Sequence, residues 1–158
     1  MEYADRRTAE LASLEAHRRT AEGSQPHDPA PMFRLGTFAH SLAMELLEES
    51  AASYRIAAQR LEASGDLGEA WERSRAMIAL CFASLGRAEE ARQEVDSVLA
   101  QRAGSPSALA AMADLYARRG ERGLALEAMD RARAAAPDHP LVTGISAQRG
   151  LGGGAAGE

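Results

Sequence analysis

The sequence predicts an all-α chain of antiparallel helix hairpins stacked one on the next, about five to seven helices in all. Apolar residues return at spacings of three, four and seven or eight along most of its length. Alanine is the commonest residue, aromatics make up only 4%, and β-branched residues are few, which suits closely packed helices better than a pleated sheet. Glycines that stop helices recur, with their neighbours, at a constant interval.

With 158 residues the chain can bury one substantial core, and two domains would each be marginal. No lysine or asparagine occurs, so all 18 positive side chains are arginine, a bias expected of a GC-rich genome and taken as bacterial. A net charge of −5 and a pI near 5.4 lack the concentrated positive face that nucleic acid or an anionic membrane requires. The single cysteine, Cys81, lies between Leu80 and Phe82 and reads as a buried small apolar residue. Residues 1–7 are charged, and the longest apolar run, 76–83, is too short to span a bilayer. Cytoplasmic residence is therefore expected.

Residues 1–31 read as an N-terminal helix and a linker. The helix, 2–22, has thin apolar content (Tyr3, Leu11, Leu14) and pairs four apart, Glu2 with Arg6 and Glu15 with Arg19. It is expected to be solvated, fraying unless a partner orders it. Residues 23–31 hold three prolines among polar breakers. The helical domain is expected over 32–149. Its first helix covers 37–63 with an apolar face of Leu42, Leu46, Tyr54, Ala57 and Leu61 and a possible break near Glu48-Glu49-Ser50. The next covers 67–85, striped by Leu67, Trp71, Ile78, Cys81, Phe82 and Leu85, and stops at Gly86. A third runs from Ala88 to Gln101. Ser105-Pro106 is a helix start, with a hydroxyl to cap a free amide and a proline where no N–H is needed. That helix ends at Gly120, and its partner stops before Pro137. Beyond Pro140, which Asp138 is placed to cap, a turn or two of helix remains before a tail, 150–158, that reads as disordered.

Gly86 and Gly120 are 34 residues apart, as are Ala91 and Ala125, Val95 and Met129, Val98 and Ala132, Ile78 and Met112, Ala79 and Ala113, Phe82 and Tyr116, and Pro106 and Pro140. Self-similarity at this period marks a stacked helix-turn-helix array, in which small residues let helices approach and larger ones fill the gaps between layers. On these residues the sequence resembles the tetratricopeptide repeat (TPR) family. Unit 106–139 carries Leu109, Met112, Ala113, Tyr116, Gly120, Ala125, Met129, Ala132 and Pro137 of the motif. Unit 72–105 is weaker, with Arg75 in place of a large apolar residue and Ala103 in place of the closing proline.

The resemblance implies a helix-hairpin solenoid whose first helices line a concave groove for a partner's peptide or helix. Carried over, the groove residues are Arg73, Ala76, Leu80, Ala83 and Ser84 in one unit and Ser107, Ala110, Asp114, Ala117 and Arg118 in the next. Such a surface suits an amphipathic helix or short apolar segment. One branch of the family holds chaperone C-termini through lysine and asparagine, which this chain lacks. Two functions follow as expectations: an adaptor or scaffold that binds protein segments, and a regulatory or sensor domain like the repeats attached to bacterial transcription regulators and signalling proteins. An enzyme accessory subunit is a more distant third.

Nothing points to catalysis, a cofactor or a metal. His17, His27, His40 and His139 never stand three to five residues from another histidine or cysteine, and read as solvated. Gly152, Gly154 and Gly157 satisfy G-x-G-x-x-G without the strand and helix that give it meaning. Glu45, Glu48, Glu49, Glu89 and Glu90 lack apolar surroundings to shift a pKa, and read as a solvated face. Trp71 and Tyr116 read as core, and no serine or cysteine has an evident base and oxyanion donor.

Overall fold

The computed structural model of the chain describes residues 2–24 and 28–152, and these form an all-helical structure. Among them are α1 (Glu2–Glu22), α2 (Ala30–Ala63), α3 (Glu69–Ser84), α4 (Ala88–Gln101), α5 (Pro106–Arg118), α6 (Arg122–Ala135) and α7 (Pro140–Arg149). The chain divides into two compact units, 1–46 and 47–158.

In the first unit α1 is studded with short-range ion pairs, Arg6 with Glu10 at 3.0 Å and Glu15 with Arg18 and Arg19 at 3.0 and 3.1 Å. Glu15 thus takes the partner expected of it, and its bonds to the two guanidinium groups hold its carboxyl below the usual range. The side chain of Glu2 lies outside the described residues. The His17 ring stacks on Phe38 at 4.8 Å, so this histidine is packed rather than solvated. Residues 25–27 of the expected linker also lie outside the described residues, and α2 begins earlier than the spacing predicts. Asp28 Oδ1 accepts from the Ala30 amide at 3.0 Å, and Pro31 sits in the first turn, where proline costs no hydrogen bond. No break occurs at Glu48-Glu49-Ser50: α2 runs through it.

The second unit is built on α3–α4 and α5–α6, each pair packed together, with α5 also packed on α3 and α4 and α7 packed on α5 and α6. Ala79, Ala91, Ala113, Ala125 and Ala132 are completely buried, as are Ile78, Val95, Val98 and Met129. With no side chain beyond Cβ at the seams, helices pack closely and dispersion contacts replace bulk. Trp71, at 4% exposure, belongs to this core, and Ala51 and Ala58 of α2 complete it.

Four helix ends are closed in the same way. Gly65, Gly86, Gly120 and Gly150 have φ between +61° and +77°, and the residue after each returns its amide to the carbonyl five back. These six-to-one bonds run from Asp66 to Leu61, Arg87 to Phe82, Glu121 to Tyr116 and Leu151 to Ser146. The left-handed turn is one that only glycine enters without a Cβ penalty, which is why glycine spacing reads out helix length. At the other ends, Ser105 Oγ accepts from the Ala108 amide as expected, whereas α7 is capped by His139 and not Asp138. The tail differs from expectation too. Gly150 closes α7 and Leu151 is buried to 1% exposure; residues 153–158 lie outside the described residues.

Candidate functional site

The ten residues expected to line the groove separate by burial. Arg73, Ser84 and Arg118 are exposed, and Leu80 and Ala117 are half-buried. Ala83 is buried, and Ala76, Ser107, Ala110 and Asp114 are buried completely or nearly so. Two of the buried group are bonded to the last helix and its cap. Asp114 holds Arg118 Nε at 2.6 Å through one carboxylate oxygen and Arg149 Nε of α7 at 2.5 Å through the other. Arg118 in turn donates to Ser84 Oγ at 2.9 Å and to the Ala83 carbonyl. One carboxylate therefore ties α5 to α7 directly and to the end of α3 through an arginine.

Ser107 Oγ lies 3.1 Å from His139 Nε2, both buried. His139, expected to be solvated, is buried here. The bonding does not make a nucleophile, however. His139 Nδ1 accepts from the Leu141 amide at 3.2 Å, so the neutral ring carries its proton on Nε2 and donates it to Ser107. A general base would need a lone pair at that nitrogen. The pair works as a helix cap buttressed from α5.

Arg75 stands where the resemblance implies a large apolar side chain, and the structure shows how the charge is accommodated. Arg75 bridges Glu62 of α2 and Glu94 of α4, the latter at 2.7 Å, with its guanidinium over the Trp71 ring. Trp71 Nε1 also donates to Glu62, at 2.8 Å. These bonds, from Trp71 first and then Arg75, hold the Glu62 carboxyl below its ordinary 4.5. A depressed folded-state pKa contributes stability above the unfolded value and loses it as pH falls through the folded one. In an acid titration of melting temperature, Glu62→Gln should flatten the fall below pH 4.5 relative to wild type; identical slopes would remove Glu62 from the account.

Two of the concavities in the second unit border residues expected to line the groove. A wide, open depression of about 570 Å³ is flanked by Tyr54, Ala57 and Arg73. A narrower cavity of about 200 Å³ forms where the ends of α3 and α5 meet the start of α4. Its floor is apolar, with Met112, Leu115 and Tyr116 prominent, and Arg92, Arg118 and Arg119 surround it. Of its residues only Ala83 and Arg118 belong to the expected groove. Cys81 is buried nearby in sequence, and that burial, with the charge of Glu48, pushes its thiol up and away from thiolate chemistry.

No family model, curated protein or solved structure matches the chain. Among the described residues, no group of three histidine, cysteine or acidic side chains is placed to hold a metal ion, and no helix is long and apolar enough to cross a membrane.

Proposed function

We propose that the chain is a protein–protein interaction module of tetratricopeptide-like build, an adaptor that receives a segment of a partner protein. The observation that carries this reading is the recurrence of the hairpin at the period of the sequence repeat. Helices α4 (Ala88–Gln101) and α6 (Arg122–Ala135) begin and end 34 residues apart, α5 and α7 both start on a proline, and the glycine closures at Gly86 and Gly120 keep the same interval. Equivalent positions in the two hairpins, Ala79 and Ala113, Ala91 and Ala125, Val95 and Met129, are equally buried. Stacked hairpins of this kind present extended surfaces for partner segments.

The surface available for docking is smaller than the family pattern implies. With Ala76, Ser107, Ala110 and Asp114 enclosed, contact falls to Arg73, Leu80, Ser84, Ala117 and Arg118. Arg73→Glu and Leu80→Glu, each checked for an unchanged far-ultraviolet spectrum, should lower partner recovery in affinity capture by about tenfold, equivalent to about 1.4 kcal/mol. Recovery equal to wild type in both variants would defeat the groove reading. The cavity of about 200 Å³ favours a second reading, a sensor or regulatory repeat domain that responds to a small ligand.

A further inference from the structure

The cavity between α3, α4 and α5 has a lining that specifies what it would hold. Its walls are Ala83, Ala88, Met112, Leu115 and Tyr116, so the buried part of any occupant must be apolar. The carbonyls at the helix ends around it are spent: those of Phe82 and Ala83 accept from Arg87 and Gly86, and those of Leu115, Tyr116 and Ala117 accept from Arg119, Glu121 and Gly120. What remains at the rim is donors. Arg119 engages Glu121 through Nε, at 3.1 Å. Arg92 engages both Asp96 oxygens through Nε, at 2.9 Å.

A guanidinium has five N–H donors and no acceptor, so the terminal nitrogens of Arg92 and Arg119, which face solvent, are available to an acceptor from outside. Both arginines pair with exposed or half-exposed carboxylates, and such pairs are weak enough to be exchanged or shared. Three arginines line the cavity, Arg92, Arg118 and Arg119, and no carboxylate is among its lining residues.

We infer that this cavity binds a small monocarboxylate with a compact apolar body, its hydrocarbon against Met112 and Leu115 and its carboxylate on Arg92 and Arg119. The volume, about 200 Å³, is somewhat larger than the ~150 Å³ cavity that accepts benzene, which suits a body of one ring or a short branched chain. The inference rests on the sensor reading and names its ligand class.

The test uses the full chain and a matched pair of probes, 3-phenylpropionate and 3-phenylpropanol, in calorimetric titration at low and high salt. The acid should bind about tenfold or more tightly than the alcohol at low salt, as a charge-assisted contact predicts, and that advantage should shrink as salt rises. Arg92→Gln combined with Arg119→Gln should bring the acid down to the alcohol's affinity, whereas Ala88→Phe, at an exposed residue beside the opening, should abolish binding of both. Equal affinity for acid and alcohol in wild type, acid binding unaffected by Ala88→Phe, or no binding of the acid at millimolar concentration would each overturn it. Failure here with partner capture still sensitive to Leu80→Glu would leave the adaptor standing and remove the ligand. Loss of that sensitivity with acid binding intact would do the reverse.

Discussion

Asp114→Ala should destabilise the second unit by about 3 kcal/mol and lower its melting temperature by ~10 °C. The carboxylate is 1% exposed and is the shared partner of Arg118 and Arg149. Removing it sets two guanidinium groups against each other with nothing between them and unties α7 from α5 at the end of the helix. Deleting one member of a buried ion pair typically costs about 3–5 kcal/mol. The lower figure applies because Arg118 and Arg149 keep 32% and 25% of their side-chain surface and can turn to water. The single changes Arg118→Gln and Arg149→Gln should be mild, about 1 kcal/mol each, since Asp114 then keeps one partner. The double change strands a buried carboxylate, so it should exceed the sum of the singles by more than about 1 kcal/mol. Urea unfolding followed through Trp71, the only tryptophan, reads all four proteins. Additive arginine variants, or an Asp114→Ala protein within about 1 kcal/mol of wild type, would show that the three groups are independent surface charges.

That cluster also marks where reading the sequence stops. The helix ends at Gly86 and Gly120 were legible because a left-handed closure demands glycine, and both stand at positive φ; Gly150 closes α7 in the same way, but its glycine-rich surroundings read as tail. The start at Ser105-Pro106 was legible because the cap and the proline are local chemistry. The start of α2 is not legible in the same way, because Pro29 and Pro31 read as breakers by composition, whereas the first turn tolerates proline and Asp28 supplies a cap. Pairs that join distant segments left no such trace. Asp114 and Arg149 are 35 residues apart, and Ser107 and His139 are 32 apart. The only available hint was that Ser107 follows Pro106 and His139 precedes Pro140, which puts both at equivalent corners of successive hairpins. The cavity was hidden for a related reason: its residues come from three helices, and each, read alone, is an ordinary alanine, methionine or solvated arginine.

Leu151→Ala should cost about 2 kcal/mol, an effect out of proportion to a residue in a glycine-rich tail. Leu151 follows the glycine that closes α7, its amide donates to the Ser146 carbonyl at 2.9 Å, and its own carbonyl accepts from Arg133. Arg122 adds a bond to the Gly150 carbonyl at 3.2 Å, so α6 grips the segment from two positions. In closures of this type an apolar residue after the glycine folds back on the helix it has just left, and here that residue is 1% exposed and part of the core. A fully buried leucine cut to alanine loses about 2–5 kcal/mol depending on how far its surroundings collapse. The lower end is expected because Leu151 follows α7, the last helix among the described residues, where its surroundings can close over the gap. Leu124→Ala is the matched control: Leu124 is 46% exposed, and its truncation should fall within about 0.5 kcal/mol of wild type. Amide exchange sharpens the contrast, because the Leu151 amide should be protected in the wild-type chain and exchange faster in the alanine variant, while amides of α3 are unchanged. Equal effects of the two leucine truncations would mean that the chain does not fold back at Gly150, and that α7 is closed by its backbone alone.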